Sequence, residues 1–288
     1  MTVAEKSIAL LKDLARPTVH RARAVIRDCK GAAKLSSVRR DLRRRHPHLI
    51  MAIDGHDEMF EHLIPLFGSR RMAEAVYLEQ GEGMVENLLA MLRSNGLALE
   101  RAESVLDFAC GHGRVTRWLV DTCGAERVTA SDINPQAVDF VCKTLKVAGF
   151  YSTQEADDLT HDRKYKVIFV ASLFSHLTLK HWNEWAAHLA RMLQLGGLLV
   201  FSTHGMGNYA NHRPEIQRRF GKLAEGFLYN GGNETPGRLA GDYYGTAYVA
   251  EEYVRRFFSA SGVGRVVDYI PHGLLGYQDL YAFRREVA

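Results

Sequence analysis

The chain has 288 residues, 47% of them apolar, which suffices for one sizeable core and an accessory segment. No run approaches the roughly 18 apolar residues of a membrane-spanning helix, so that class is excluded. The net charge of +4 is uneven: residues 1–45 hold thirteen Lys/Arg against four Asp/Glu, a local +9, and residues 46–288 carry −5. The start, Met1 to Lys6, lacks the apolar stretch of a secretory leader, and a cytoplasmic chain is expected. Cys29, Cys110, Cys123 and Cys142 form no Cys-x-x-Cys and read as reduced thiols.

In chain order, the basic arm comes first. Ile8, Leu11, Leu14 and Ala15, then Val19, Ala22, Val25 and Ile26, recur at helical spacing, with Pro17 near a joint. Two basic amphipathic helices are expected, ending in the cluster Arg39 to Arg45. They either attract an anionic surface (lipid headgroups, a phosphorylated substrate, RNA) or pack their stripe on the rest of the chain or on a second copy. Pro47 and Ile53–Gly55 mark a hinge. A helical segment from Glu58 to Leu92, interrupted near Gly68 and Gly81, is expected to cover the ligand pocket. Residues 1–75 are accordingly taken as an extension and 76–288 as the main domain.

The stretch from Ser104 to Val120 is the most informative. Ser104–Ala109 is apolar apart from Asp107, as in a parallel strand covered on both faces. Gly111 and Gly113 bracket a tight turn, and Val115, Trp118 and Leu119 then fall at helical spacing. Such a turn admits a ligand against backbone N–H groups. A dinucleotide fingerprint needs a third glycine where this chain has Thr116. Asp107 would also face two phosphates, whereas it suits a ligand carrying positive charge. Arg127–Ile133 reads as a second strand with Asp132 at its end, placed to accept ribose hydroxyls. A ribose, an amino-acid tail and no phosphate describe S-adenosylmethionine.

Beyond it the pattern alternates: helix 135–148, a weak strand near 151–155, strand 166–172, helix 180–193, strand 198–203, helix 249–260 and strands 264–270 and 278–284. Strands alternating with helices predict an α/β fold, a Rossmann-like doubly wound and mostly parallel sheet. Ligands of such sheets sit beyond the strand C-termini, where Gly111, Asp132, Glu155 and Ser172 fall.

Taken together these segments resemble the class I S-adenosylmethionine-dependent methyltransferases. Leu106–Arg114 is similar to their first motif, Ser131–Ile133 to the second and Glu155–Leu159 to the acidic segment beside the adenine. Tyr165–Leu177 resembles the fourth strand and its loop, and Leu189–Phe201 the helix, Gly-Gly turn and fifth strand. Gly276–Arg284 resembles the closing strand in the branch that includes polysaccharide-modifying enzymes, which makes that strand antiparallel. Thr160 and Leu195 stand where the family commonly has prolines, both at turns. The resemblance implies a cofactor site made of Asp107, Phe108, Ala109, Cys110, Gly111, Gly113, Arg114, Asp132, Ile133, Glu155, Ala156, Asp157, Ala171 and Ser172.

Methyl transfer to a hydroxyl benefits from a general base. His176 and His204 each follow a strand at the pocket edge and are the candidate bases, while His112, inside the turn, is placed against the cofactor. No His, Asp and Glu set shows metal-ligand spacing, so no metal is expected. Residues 204–248 break the alternation and are rich in Gly, Asn, Tyr and His, which suits a sugar, glycan or small natural product. The competing readings are an NAD(P)-dependent oxidoreductase and a cofactor-binding module without activity. A nucleic-acid N-methylating enzyme is disfavoured, because Ala171–Phe174 lacks an Asn/Asp-Pro-Pro-aromatic loop.

Overall fold

The computed structural model describes residues 25–205, 218, 225–231 and 243–287. The first apolar stripe of the basic arm, Ile8 to Ala22, lies outside them, as do Asn208–His212 and most of the insertion. The chain divides into two compact units, one formed by the chain up to Leu49 with Gly55–Glu79, the other by Ile50–Asp54 and the chain from Gln80 onward.

In the first unit, helix α1 (25–45) and helix α2 (Glu58–Phe67) precede helix α3 (Arg70–Ser94), which continues into the second unit. Asp57 caps α2 by accepting the Phe60 N–H at 3.0 Å, and Gly68 ends it in the left-handed conformation. The buried face of α1 is Leu35, Val38 and Leu42, whereas Val25 and Ile26, expected in the packed stripe, are exposed. Part of the arginine cluster is spent inside the unit: Arg39 pairs with Glu74, while Arg44 and Arg45 pair with Asp41.

The expected break at Gly81 does not occur. Helix α3 runs through it, and a Cβ there would lie 2.4 Å from the Arg114 carbonyl and 2.6 Å from Trp118 Nε1. This glycine marks a close approach of two helices, so its lost helix propensity is offset by packing.

The second unit is built on a seven-stranded sheet. In chain order come β1 (Val105–Phe108), helix α4 (Thr116–Cys123), β2 (Val128–Asp132), helix α5 (Pro135–Leu145), β3 (Ala148–Tyr151) and β4 (Tyr165–Val170). Helix α6 (Leu179–Arg191) and β5 (Leu193–Thr203) follow, then the hairpin strands β6 (Phe227–Asn230) and β7 (Thr246–Val249). Helix α7 (Glu251–Ala260), β8 (Gly264–Leu274) and β9 (Gln278–Arg285) close the unit. The sheet order is β3-β2-β1-β4-β5-β9-β8, with β1 to β5 mutually parallel and β9 antiparallel to both neighbours. This is the Rossmann-like, doubly wound arrangement with a reversed closing strand.

Several boundaries differ from the sequence reading: α5 ends at Leu145 and not 148, β5 begins at Leu193 and not 198, and β8 runs on to Leu274 and not 270. The weak strand lies at 148–151 and not 151–155, because its partner β2 ends at Asp132 and later residues have nothing to pair with. Helix α6 stops at Arg191 because Leu193 already pairs with Tyr165 in the sheet. The core beside α6 is aromatic: Trp182 meets Phe174 at 5.2 Å and Tyr253 at 5.6 Å between ring centres.

Candidate active site

The turn after β1 is built by residues that L-amino acids seldom tolerate. Ala109, Gly111 and Gly113 all have positive φ, at 61°, 51° and 79°. Ala109 adopts it at a cost of about 1–3 kcal/mol, a strain found chiefly at functional sites. A Cβ on Gly111 would meet nothing within 4 Å, so this side of the turn faces open space. Arg117, 1% exposed, holds the turn from behind. Its guanidinium donates to the carbonyls of Gly113 at 2.8 Å, Ile50 at 3.1 Å and Ala52 at 2.6 Å.

Two carboxylates flank the turn, Asp107 buried and Asp132 half-buried. Thr116, the residue in place of a third glycine, donates its hydroxyl to Asp107 at 2.6 Å. Asp132 accepts the Gly111 N–H at 2.8 Å and the Asn134 N–H at 2.9 Å. Burial pushes the Asp107 carboxyl up to about 7; the Thr116 bond opposes this and the Asp132 charge adds to it. Burial also raises Asp132, against the pull of the Asn134 and Gly111 amides. A ligand bringing positive charge would relieve both groups, and a pyrophosphate would aggravate them.

The raised Asp107 has a consequence for stability. Its folded value lies above the ordinary 3.8, so the native state holds the proton more tightly than the unfolded chain. Its contribution is full below about pH 4 and is lost as pH rises through about 7. Asp107→Asn is expected to flatten the decline in stability of the ligand-free protein across that window, read by urea unfolding at a series of pH values. An unaltered profile would place the responsible proton elsewhere. Glu155 acts in the opposite sense. Lys180 and His181 hold its carboxyl down at about 2, so its contribution is present above 4.5 and lost as pH falls toward 2.

The remaining predicted residues divide by burial. Phe108 and Ala156 are core side chains, Phe108 lying 4.9 Å from the Trp185 ring, so their side chains are unavailable and only their backbones remain. Cys110 is buried and its thiol is pushed well up by desolvation, which makes it inert. Ile133, Ala171 and Ser172 are half-buried at strand ends, and Asp157 is exposed. Arg114 contacts Gln80 at 3.3 Å. His112 is buried with its ring 6.1 Å from Phe140.

Glu155 is engaged by Lys180 at 2.8 Å and His181 at 3.1 Å. Tertiary structure thereby assembles a cluster that sequence spacing did not reveal, since Glu155, His181 and Glu184 bring ligand-type atoms within 4.8 Å of one another. The Lys180 ammonium reaches both carboxylates, at 2.8 and 3.8 Å, which makes this an ion-pair cluster with its cation built in.

His176 and His204 are brought together, with ring centres 5.9 Å apart. The hairpin end organises them. His176 Nδ1 lies 2.8 Å from the Gly245 carbonyl and its ring stacks on Tyr244 at 4.6 Å. The His176 carbonyl accepts the Gly245 N–H, and the His204 carbonyl accepts the Val249 N–H, both at 2.9 Å. Behind them Gln278, 3% exposed, joins Ser172, Ser175, Ser202 and His204. Sequence reasoning missed Thr116, Arg117 and Gln278 as site residues. Arg117 lies four residues after Gly113, a helical spacing that could have signalled it, whereas nothing local marks Gln278 within its strand.

Residues 105–197 match the family model described as a methyltransferase domain. The match covers this stretch of the second unit and not the rest of the chain. Two curated relatives are malonyl-[acyl-carrier protein] O-methyltransferases. One, from Porphyromonas gingivalis, is 28% identical over 46% of this chain and 48% of its own length. The other, from Acetivibrio thermocellus, is 26% identical over 52% and 53%. The chain thus spans about half the length of the curated relatives it matches. Among solved structures, an S-adenosylmethionine-dependent methyltransferase from Clostridium acetobutylicum aligns with a TM-score of 0.49 at 13% identity, over 71% of this chain and 91% of that one. The family match begins at β1 and ends within β5, and so takes in the glycine turn and both carboxylates.

Proposed function

We propose that the chain transfers a methyl group from S-adenosylmethionine to an oxygen acceptor, a hydroxyl of a sugar, glycan or small natural product. The observation that carries this reading is the pair of carboxylates, buried Asp107 and half-buried Asp132, around an open glycine turn. The cofactor's sulfonium, ammonium and ribose diol match that chemistry. Asp132 would hold the ribose, Asp107 would face the positively charged amino-acid end, and Gly111 and Gly113 would let the backbone approach. Ala171 and Ser172 would line the neighbouring strand end, with Glu155 at the adenine side.

When bound, S-adenosylmethionine supplies an electrophilic methyl group whose departing sulfur keeps the C–S electron pair. The protein contributes position, worth roughly 7–11 kcal/mol of the barrier, and a proton acceptor. The His176–His204 pair would take the acceptor's hydroxyl proton as the new C–O bond forms, then release it to solvent. A carboxylate acceptor is already ionised near neutrality and needs no base, so the histidine pair favours a hydroxyl. Both curated relatives are named as O-methyltransferases, which accords with an oxygen acceptor.

Titration calorimetry tests the cofactor. Micromolar binding of S-adenosylmethionine and its demethylated product is expected, with none for NAD. NAD binding without S-adenosylmethionine binding would overturn the reading in favour of an oxidoreductase. A panel of hydroxyl and amine acceptors then tests transfer, and binding without any turnover would leave a cofactor-binding module.

A further inference from the structure

The hydrogen bonds behind the histidine pair have a direction, and it separates the two rings. At one end the Ser172 carbonyl can only accept, and Ser175 Oγ donates to it at 2.5 Å. Having spent its proton, Ser175 Oγ can only accept from Gln278, 3.4 Å away. The Ser172 N–H can only donate, and it donates to Ser202 Oγ at 2.8 Å. That hydroxyl in turn donates to Gln278 Oε1 at 2.7 Å, as does Ser172 Oγ at 3.1 Å. The Ser175 end therefore orients the Gln278 amide, nitrogen toward Ser175 and His204, and the Ser172 and Ser202 hydroxyls donate to its oxygen on the other side. The amide nitrogen lies 3.2 Å from His204 Nε2 and carries hydrogens only. His204 Nε2 must then be the unprotonated, accepting nitrogen.

We propose that Gln278 is a positioning residue that fixes His204 as the neutral tautomer with its proton on Nδ1, leaving His176 as the base. Protonating His204 at Nε2 would set two donors against each other in a buried site, at the cost of that hydrogen bond. His176 is fixed as the same tautomer, but by a different partner. Its Nδ1 faces the Gly245 carbonyl, which can only accept, so in the neutral ring Nδ1 carries the proton and Nε2 the lone pair. Among the described residues, His204 faces the rings of His176 at 5.9 Å and Tyr248 at 5.8 Å, and a charge on His176 during turnover further opposes one on His204. The proton thus moves from the acceptor oxygen to His176 Nε2, with no second imidazole competing for it.

This inference rests on the oxygen-methylating reading for its consequence, but its test does not. Long-range 1H–15N correlation spectra of the full chain with 15N-labelled histidine report each ring's tautomer. His204 is assigned by the signals lost in His204→Gln. In the wild-type protein near pH 7 His204 is expected almost wholly as the Nδ1–H form. Gln278→Leu is expected to raise the Nε2–H population of His204 at least tenfold, and Gln278→Glu, with an acceptor in place of the donor, is expected to invert the preference. His204 found as Nε2–H, or charged, in the folded wild-type protein overturns the proposal even if no Gln278 variant folds. A chain with the expected tautomers and no methyl transfer to any acceptor would instead refute the functional reading alone.

Discussion

His176→Ala is expected to lower kcat by about 10²-fold or more with cofactor saturating, the scale of losing a general base. The cofactor's dissociation constant should stay within about twofold, because the ring's bond goes to Gly245 of the hairpin and not to the glycine turn. His204→Ala should be milder, below about tenfold in kcat, since the Nε2 of that ring is taken up by Gln278. Its larger effect should be on stability, because His204 is 6% exposed and its removal leaves a cavity beside Tyr248. Steady-state turnover of both variants with the acceptor found in the panel reads this directly. If both keep full turnover, positioning alone carries the reaction and the hydroxyl assignment loses its chemical support.

The second large effect is expected at Asp132. Asp132→Ala should weaken S-adenosylmethionine binding by roughly 2–4 kcal/mol, about 30- to 1,000-fold, on the scale of truncating a half-buried, charge-assisted hydrogen-bonding group. The structure adds a reason beyond the ribose contact: the carboxylate also anchors the Gly111 and Asn134 amides, so its loss frees the turn from the start of helix α5. Calorimetry on a variant with unchanged circular dichroism measures the effect. Undiminished affinity in that folded variant would mean that the ribose lies elsewhere.

Much of the fold is legible in the residues themselves. Continuous apolar runs such as Val167–Val170 can only be strands covered on both faces, and α5 declares itself through Asn134 as cap and Pro135 in its first turn. Asp107, Gly111, Gly113 and Asp132 were equally readable, because a turn of this kind depends on backbone conformation and a charge at a fixed step along the chain. The amino-acid sequence by itself thus determined the strand–helix alternation and a glycine turn flanked by two carboxylates. Tertiary structure decided what depends on residues far apart in sequence. It set Thr116 on Asp107, closed Arg117 over the carbonyls of residues 50 and 52, turned Glu155 into an ion pair with Lys180, and drew Phe108 and Ala156 into the core. It also joined Gln278 to His204 and Gly245 to His176, across 74 and 69 residues of chain. Hydrogen-bond direction in a buried network follows from which groups meet there, and no local pattern encodes a meeting across a sheet.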